Sequence, residues 1–401
     1  MQGSKYPLAT TTWDEAEINA MQEVIWSRNF TMGVKVRRYE TEFAALFGAP
    51  HAVMSNSGSS ANLLALGAIR YSSFGEDATR NEVIVPAVSW STTYYPITQM
   101  GYTLKFVDID LDTLNASVSS LEAAITNKTA GIVAVNLLGN PSELDRIREL
   151  ADANKIFLIE DSCESLGAKL NGKMVGTFGE IGTFSSFFSH HISTMEGGMS
   201  VTSNLELSQV MTSLRAHGWT RELPDENHVL DKSGNQFDDL FRFVLPGYNL
   251  RPLELEGAIG SEQLKKVPVV IQGRRENHET FALLMEQFPM VKTQLEIGES
   301  SWFGFSLILT EGLSGRRAEL VDTLTQHGIA SRPIVAGNFT RNPVMKHLRH
   351  APLPKLPNAD KVHENGLFIG NHHYKMEEEF NLLESALILF HDEPSRDKEE
   401  R

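Results

Sequence analysis

The sequence contains a single cysteine, Cys163, among its 401 residues. One thiol cannot close a disulfide within the chain, and it cannot supply the thiolates of a cysteine-rich zinc site or an iron–sulfur cluster. The sequence also lacks an uncharged apolar run near the ~20 residues that span a bilayer, and it has no signal peptide pattern at its N-terminus. We therefore expect a cytoplasmic protein with no membrane segment and no metal centre.

Basic residues are scarce relative to acidic ones. The chain has 36 Lys and Arg against 51 Asp and Glu, which gives a formal net charge of −15 at pH 7. This surplus of negative charge repels the phosphates of nucleic acids and the headgroups of anionic lipids, so we expect neither kind of partner. The length exceeds the ~100–200 residues of a typical domain, and a hydrophobic content of 41% suffices for a large core or for two domains.

Short apolar runs alternate with helical periodicity from about residue 52 onward. The runs are rich in β-branched residues, as fully buried parallel strands are, and they lie at 83–85, 131–135 and 156–159. This alternation predicts an α/β fold in which a large domain over 1–250 contains a mostly parallel, doubly wound sheet.

The pattern changes in the last third of the chain. New strand patterns near 303–309 and 334–335 predict a smaller C-terminal α+β domain over 251–391. The charged residues 392–401 carry no large apolar side chain, so they predict a disordered tail.

Helix boundaries are marked by capping residues. Thr12 and Glu15 form a capping-box pattern that predicts a helix reaching about Trp26. A second helix is predicted to end at Gly48, because glycine readily adopts the left-handed conformation of a helix cap. A later apolar pattern predicts a helix over 253–266.

Glycine and small hydroxyl side chains precede an apolar helix pattern at 57–62, where the sequence is Ser-Gly-Ser-Ser-Ala-Asn. The free amides and the dipole at a helix N-terminus favour an anion, so a phosphate group would bind well there. For this segment taken alone, an ordinary serine-rich helix cap is the alternative.

Two further segments carry polar groups at the ends of predicted strands. Glu160 and Asp161 follow an apolar run, and this pair fits a metal or acid–base site as well as a plain strand end whose carboxylates cap the next turn. His190 and His191 follow an aromatic strand pattern. Adjacent histidines fit an ordinary loop or a hydrogen-bond network as well as they fit catalysis.

Five segments, in this order, resemble the motifs of the sugar aminotransferase family, also called the DegT/DnrJ/EryC1/StrS family. They span most of the chain and lie at 57–62, 85–90, 160–167, 183–198 and 247–253. The resemblance implies the type I fold of transferases that depend on pyridoxal 5'-phosphate (PLP), which is the fold of aspartate aminotransferase. In this family the fourth motif carries a lysine that links covalently to the cofactor, six residues before the glutamate of a Glu-Gly-Gly triplet.

His190 stands at that position, six residues before Glu196, and no lysine occurs over 174–231. An imidazole cannot form the covalent link, but a reference pKa of about 6.5 allows it to move protons near neutral pH. Histidine at this position is typical of a subgroup that removes a hydroxyl group instead of adding an amine. Met195 is a second difference, because many relatives have glycine there.

The resemblance to this subgroup implies an activity. The cofactor is expected to bind noncovalently as pyridoxamine 5'-phosphate (PMP) or PLP. The substrate is expected to be a GDP-linked 4-keto-6-deoxy sugar that loses its C3 hydroxyl in the colitose pathway, with His190 as both base and acid. L-Glutamate is expected to regenerate PMP as the amine donor.

Two alternatives remain open on the sequence. One is an aminotransferase in which a lysine outside the motif, such as Lys173 or Lys232, forms the covalent link. The other is a catalytically inactive relative that binds a ligand. Asp161 and the other motif residues argue against the second.

The remaining motif residues receive their roles from the resemblance only. The cofactor residues it implies are Gly58, Ser59 and Ser185 at the phosphate, Asp161 at the ring nitrogen, Trp90 stacked on the ring, Glu164 near the cofactor face, Arg251 near the site, and Asn249 reaching the phosphate in a neighbouring subunit of a homodimer. The substrate residues it implies are Arg28, Asn29, Phe30 and Thr31 on the nucleotide side, and His217 and Arg221 at the sugar and diphosphate.

Three of these residue types also have ordinary structural explanations. By itself, Trp90 fits a core aromatic, and Asn249 fits a turn residue. The charged residues around Arg221 also fit a surface salt bridge.

Overall fold

The computed structural model describes residues 4–392 of the chain, without the side chain of Glu311. In chain order, the first nine strands are β1 His51–Ser55, β2 Glu82–Pro86, β3 Thr103–Val107, β4 Thr129–Val135, β5 Phe157–Asp161, β6 Lys169–Leu170, β7 Lys173–Met174, β8 Ile181–Ser185 and β9 Gly198–Thr202. Seven of them form one sheet in the order β1-β9-β8-β5-β4-β2-β3, and β6 pairs with β7 in a small hairpin.

Parallel pairing dominates this sheet. β2 pairs in parallel with β3 and β4, β4 with β5, and β5 with β8, whereas β9 runs antiparallel to both of its neighbours. The predicted mostly parallel sheet is therefore confirmed, with strands where the β-branched runs place them. The carboxyl ends of β2, β4, β5 and β8 meet at one edge, which is where open α/β sheets bind their ligands.

A second, antiparallel sheet follows later in the chain. Its strands are β10 Val291–Lys292, β11 Gly304–Leu309, β12 Ser331–Arg332 and β13 Gly366–Gly370, in the order β10-β11-β13-β12. The predicted strand at 303–309 corresponds to β11. The predicted strand at 334–335 is wrong, because the chain pairs at β12 and has already left the sheet at Ile334, which is buried in a loop.

Twelve α-helices cover the two sheets within the described residues. They are α1 Glu15–Ser27, α2 Val34–Phe47, α3 Gly58–Arg70, α4 Ser91–Gln99, α5 Val118–Ala124, α6 Leu144–Asn154, α7 Leu205–Arg215, α8 Gln236–Asp239, α9 Glu254–Met285, α10 Arg317–Gln326, α11 Pro357–Asn365 and α12 Glu377–Asp392. No helix of residues 4–392 is both long enough and apolar enough to cross a bilayer.

The start of α1 and the end of α2 can be compared with the capping patterns of the sequence. The N-cap of α1 is Asp14, whose side chain accepts a hydrogen bond from Ala16 while the Glu17 side chain accepts one from the Asp14 amide. The capping box thus lies two residues after the predicted one. Gly48 caps α2 with φ +61°, as predicted.

The helix predicted over 253–266 is much longer than expected. It forms α9, which has 32 residues and continues through Pro268. The predicted tail over 392–401 begins inside a helix at Asp392, and its remaining residues lie outside the described part of the chain.

α9 joins the packing around both sheets. At its start, a Cβ on Gly260 would come within 2.6 Å of the Tyr39 ring, so glycine lets α9 and α2 approach closely. Near its end, Phe281 and Leu284 are buried in the core of the second sheet, which also includes Tyr6 from the N-terminal segment. A domain boundary near residue 250 remains a prediction, since one helix contacts both cores.

Candidate active site

An anion cradle forms where the N-terminus of α3 meets the end of β8. The Ser57 hydroxyl caps α3 by accepting a hydrogen bond from the Ser60 amide at 3.1 Å. The amides of Gly58 and Ser59 begin the helix, so no helical carbonyl precedes them as an acceptor. A Cβ on Gly58 would lie 2.6 Å from the Ser185 Cβ. The structure therefore brings Gly58, Ser59 and Ser185 together, with free amides and a hydroxyl available to an anion.

Replacing Gly58 with alanine is expected to weaken PMP binding at least ~10-fold, because the new methyl group would displace Ser185 and narrow the cradle. The measurement is a titration of the purified protein with PMP, followed by absorbance. Gly312→Ala is the matched control, since nothing lies within 4 Å of a Cβ placed there. Unchanged PMP affinity in Gly58→Ala would place the phosphate elsewhere.

Asp161 ends β5 as a buried carboxylate held by polar side chains. Its Oδ2 accepts hydrogen bonds from Asn62 Nδ2 at 2.9 Å and from the Thr93 hydroxyl at 2.6 Å. Thr183 donates to the Asn62 side chain and so fixes its orientation. Oδ1 accepts only a longer bond, 3.3 Å from the Cys163 amide, which leaves it able to face a cationic ring nitrogen.

Glu160 and Asp161, which on the sequence fit either an acid–base or metal site or a plain strand end, lie on opposite faces of the sheet. Consecutive residues of a strand point to opposite faces, so Glu160 turns away from Asp161. Its carboxylate accepts hydrogen bonds from the amides of Gly176, Phe178 and Gly179 at 2.6–2.7 Å. Burial raises the pKa of Glu160, and these amides offset part of that rise. Glu160 therefore anchors the turn before β8 and takes no part in the site.

Glu164 lies on the same side as Asp161. Its Oε2 accepts a hydrogen bond from the Leu138 amide at 3.0 Å. Burial raises the pKa of Glu164 to about 7, with the hydrogen bond from Leu138 opposing the rise and the nearby charge of Asp161 contributing to it. Leu138 adopts φ +54°, a left-handed conformation that is rare for leucine and is found mainly where the surroundings enforce it.

Trp90 follows β2 and forms the N-cap of α4. Its side chain is 55% exposed, so it is not a core aromatic. It stands at the same sheet edge as Asp161, which leaves a flat ring available for stacking against a ligand. Met195 lies in the loop between β8 and β9 with φ +72°, which is why glycine suits that position and methionine is strained there.

His190 lies in the loop after β8, between two aromatic rings. The ring centroids of Phe303 and Phe187 lie 5.2 Å and 6.1 Å from that of His190. Its Nδ1 is buried without a hydrogen-bond partner within the described residues. Burial lowers the pKa of His190 to about 4, with a smaller contribution from the positive charge of Arg274 and an opposing one from a hydrogen bond with the Phe187 backbone. The imidazole is therefore neutral at pH 7 and able to accept a proton.

His191 has a different environment. It is only 1% exposed, and its Nε2 lies 3.0 Å from the Ser301 carbonyl oxygen. A carbonyl oxygen only accepts, so Nε2 carries the proton and donates it. This nitrogen is not free to exchange protons with a substrate.

His372 is a further buried histidine, and it makes stability depend on pH. It is fully buried, its Nε2 lies 3.0 Å from the Pro7 carbonyl oxygen, and burial lowers its pKa to about 4. The unfolded chain, with a histidine pKa near 6.5, binds more protons than the folded chain below that pH. The free energy of unfolding should thus fall by about 3 kcal/mol from His372 alone as the pH drops from ~6.5 to ~4.

Urea unfolding at pH 7.5 and pH 4.5 measures this loss. In His372→Gln, where the amide can still donate to Pro7 but does not titrate, the loss should be smaller by most of that amount. An identical pH dependence in the two proteins would mean that His372 is accessible to protons when folded.

His217 and Arg221, predicted to bind the substrate, lie with the predicted cofactor residue Arg251 around the Trp219 ring; Arg221 is exposed, whereas His217 and Arg251 are half-buried. Arg221 and Arg251 lie over the Trp219 ring, at 5.1 Å and 5.8 Å from its centroid, and His217 contacts the same ring at 5.1 Å. Asn249 is exposed and accepts a hydrogen bond from Arg251 Nε at 3.1 Å.

The nucleotide-side loop is tied to this neighbourhood through the start of α9. Thr31 pairs with Leu253, and the Phe30 carbonyl accepts the Glu254 amide at 3.0 Å. Arg28 and Asn29 are exposed, and Arg28 adopts φ +60°. The loop over 28–31 and the segment that carries Asn249 and Arg251 are therefore neighbours.

Neither alternative lysine points to a covalent link. Lys173 lies on the exposed β6–β7 hairpin with its Nζ 4.3 Å from the centre of the Phe178 ring, on the side of the sheet where Glu160 is anchored. The Nζ of Lys232 donates to the Leu223 carbonyl and lies 3.6 Å from an oxygen of Asp225.

The sequence assigned no role to the residues that hold Asp161, although Asn62 and Thr183 lie within the motifs at 57–62 and 183–198. Asn62, Thr93 and Thr183 are separated from Asp161 by up to 99 positions, and their hydroxyl and amide groups are common in any helix or strand. One signal was available for Asn62, which lies four positions after Gly58 and directly before the apolar run over 63–69.

The mixed sheet with its ligand edge at the start of α3 and the end of β5 is the fold of PLP-dependent aminotransferases. The chain belongs to the DegT/DnrJ/EryC1/StrS aminotransferase family, whose model matches residues 11–382.

Its similarity to individual family members is high. The GDP-4-keto-6-deoxy-D-mannose 3-dehydratase of Yersinia pseudotuberculosis is 51% identical over 384 residues, which cover 94% of this chain and 98% of that protein. A structure of GDP-4-keto-6-deoxymannose-3-dehydratase, with a histidine replaced by asparagine and GDP-perosamine bound, superposes with a TM-score of 0.92 at 50% identity and covers 96% of this chain and 100% of that one. A structure of the same enzyme with a trapped PLP-glutamate geminal diamine gives the same four values.

Proposed function

We propose that this protein is a PMP-dependent dehydratase that removes the C3 hydroxyl of GDP-4-keto-6-deoxy-D-mannose. The product is GDP-4-keto-3,6-dideoxy-D-mannose, an intermediate of the colitose pathway, and L-glutamate regenerates PMP. The similarity to enzymes of that name supports the substrate and the amine donor.

One observation carries the proposal: a site with the family's cofactor-binding residues has His190 where the lysine would be. The cradle at Gly58 and the buried carboxylate of Asp161 fit the phosphate and the ring nitrogen of PMP, and they require no covalent link. No lysine lies between Met174 and Asp231 to provide one. The related enzyme with bound GDP-perosamine carries a substitution at a histidine, which is the residue type that we assign to catalysis.

When bound, PMP supplies an amino group for the C4 ketone and a ring that stabilises negative charge. The chain's residues then have distinct tasks. Gly58, Ser59 and Ser185 bind the phosphate. Asp161 faces the ring nitrogen and keeps it protonated, since a carboxylate beside a cation raises that cation's pKa. The exposed Trp90 covers the ring face and contributes affinity that a covalent link would otherwise supply.

His190 moves the protons. Its low pKa keeps the imidazole neutral at pH 7, so its unprotonated ring nitrogen can take a proton from carbon and return it to the departing C3 hydroxyl. A hydroxide ion is a poor leaving group, whereas water leaves readily. One imidazole that acts first as base and then as acid performs both steps without a second titratable group.

We further propose a homodimer in which Asn249 reaches the phosphate in the neighbouring subunit. Large apolar side chains are exposed beside the loop over 28–31 and in the segment before Asn249; Trp26 is 75% exposed and Phe237 is 76% exposed. Such patches on one chain are typical of a surface that a second copy covers. Light scattering on the purified protein should give twice the mass of the chain. The lone thiol is compatible with a cytoplasmic location.

The function is tested by mixing the purified protein with PMP, L-glutamate and GDP-4-keto-6-deoxy-D-mannose. The sugar product should lack one oxygen by mass spectrometry, and ammonia should form in equal amount. An amino sugar product, together with a lysine adduct after borohydride treatment, would establish the aminotransferase alternative. No turnover would favour an inactive ligand-binding relative.

A further inference from the structure

The segment over 299–303 runs past His190 and His191, and its backbone is tied down along its whole length. Two of its amides donate to the turn after β4, Ser301 to the Gly139 carbonyl at 2.9 Å and Phe303 to the Leu138 carbonyl at 3.0 Å. Each of its carbonyls accepts from outside the segment: Glu299 from the Lys169 amide, Ser300 from Arg275, Ser301 from His191, Trp302 from Asn371, and Phe303 from Arg274. We call this segment the strap.

The strap places the Phe303 ring against both histidines. The ring centroid lies 5.2 Å from that of His190, at an interplanar angle of 55°, and 5.7 Å from that of His191. Within residues 4–392 the Nδ1 of His190 is buried without a hydrogen-bond partner, and no carboxylate is among the groups that shift its pKa. The Phe187 backbone and the packing of the Phe187 and Phe303 rings are what remain to fix its orientation, and Phe303 is the nearer of the two rings.

We propose that Phe303 is a positioning residue that holds the His190 imidazole in its reactive orientation, and that His191 maintains Phe303 by donating Nε2–H to the Ser301 carbonyl. The inference rests on the proposed function, because it concerns how the base of that reaction is oriented. Neither residue exchanges a proton with the substrate.

The buried side chains of Arg274 and His191 donate hydrogen bonds to the strap and so hold Phe303 in place. Arg274, from α9, donates to the Trp302 and Phe303 carbonyls and forms no ion pair within residues 4–392, so its guanidinium serves the strap. Two groups can place a positive charge near His190: the guanidinium of Arg274, and the imidazole of His191 if it is protonated. His191 gives its only N–H to the strap and shares the Phe303 ring with His190. Loss of that hydrogen bond would free Ser301, two residues before Phe303.

A misplaced base loses rate even when substrate and cofactor still bind, because displacements near 1 Å can cost ~100-fold. We therefore expect Phe303→Leu, which keeps an apolar side chain but removes the ring, to lower kcat by at least ~10-fold with little change in KM or PMP affinity. Phe303→Tyr keeps the ring and should retain most of the activity. Equal activity of Phe303→Leu and the wild type would overturn the proposal.

Nuclear magnetic resonance of the cofactor-free protein gives a readout that does not depend on turnover. The imidazole signal of His190 is the one that disappears in His190→Asn. In the wild type it should titrate near pH 4, and in Phe303→Leu it should move towards ~6.5 because water reaches the ring, while Arg274 and His191 are unchanged. A lower melting temperature with an unchanged titration and unchanged kcat would show that Phe303 serves stability only.

His191 is tested by a double-mutant cycle. His191→Leu removes the donor to Ser301 and should lower kcat as Phe303→Leu does, whereas His191→Gln keeps an amide donor and should retain more activity. If His191 acts through Phe303, the double variant should lose no more than either single variant. Multiplied losses would mean that His191 acts independently.

Failure of the proposed function looks different from failure of this inference. If the wild type dehydrates no GDP-sugar, the kcat values of the variants cannot be compared. The titration of His190 still decides whether Phe303 and His191 determine the surroundings of its imidazole. If the wild type is an active dehydratase and Phe303→Leu matches it in kcat and titration, only the positioning role is wrong.

Discussion

Replacing His190 with asparagine should abolish dehydration, with kcat reduced at least ~10²–10⁴-fold, while PMP binds as it does to the wild type. General acid–base catalysis contributes that much to a rate, and here one group performs both the acid and the base step. Asparagine has a similar size and does not titrate near neutral pH. Product mass after extended incubation measures the residual activity, and an absorbance titration measures PMP affinity.

His191→Gln is the matched comparison, because it changes the adjacent histidine and keeps a donor for Ser301. Full activity of His190→Asn would assign the proton transfers to another group. His190→Lys is expected to regain a covalent link to PLP and to lose dehydration, since lysine competes with the substrate for the aldehyde form of the cofactor.

Replacing Asp161 with asparagine should lower kcat by about 10–10³-fold, which corresponds to the ~1–3 pKa units that an adjacent opposite charge contributes. Asn62 and Thr93 both donate to one oxygen of this carboxylate. In the variant, those donors should hold the asparagine oxygen, so its NH₂ group would face the ring nitrogen. A donor there favours the unprotonated ring, which stabilises negative charge poorly. The measurements are kcat and the pH dependence of the absorbance of bound PMP.

Glu160→Gln is the control variant for Asp161→Asn, because it changes the adjacent carboxylate. Glu160 faces the opposite side of the sheet and accepts three backbone amides, which a glutamine can satisfy only in part. We expect a lower melting temperature and an unchanged kcat per folded molecule. If Asp161→Asn left kcat and the absorbance unchanged, another group would have to face the ring nitrogen.

The fold could be predicted where local pattern and tertiary environment agree. β-branched runs such as 131–135 are buried on both faces of the parallel sheet, and that is the environment that selects such residues. The prediction failed at 334–335, where the equally apolar residues Ile334 and Val335 lie in a loop that packs against the core of the first sheet. It also ended α9 before Pro268, although a proline removes only one hydrogen bond and the packing of a long helix can compensate for it.

The candidate site, like the fold, contains residues that the sequence could predict and residues that it could not. Motif spacing predicted roles for Gly58, Asp161 and His190, because such roles depend on residue type and on position along the chain. Phe303 went unnoticed, since an aromatic residue in a strand pattern is ordinary, and only the folded chain brings it to His190 across 113 positions of sequence. Thr93, which fixes Asp161 from 68 positions away, was missed for the same reason.

The sequence by itself determined which reactions are open to this protein. Histidine in place of lysine removes the covalent link, and one cysteine excludes an iron–sulfur cluster, because a bond to a cofactor requires the functional group that forms it. Only the tertiary structure decided how those groups behave. It separated Glu160 from Asp161, placed the half-buried His190 where its surroundings keep it neutral at pH 7, and confined His191 to the strap, because protonation and orientation depend on neighbours that the chain brings together only on folding.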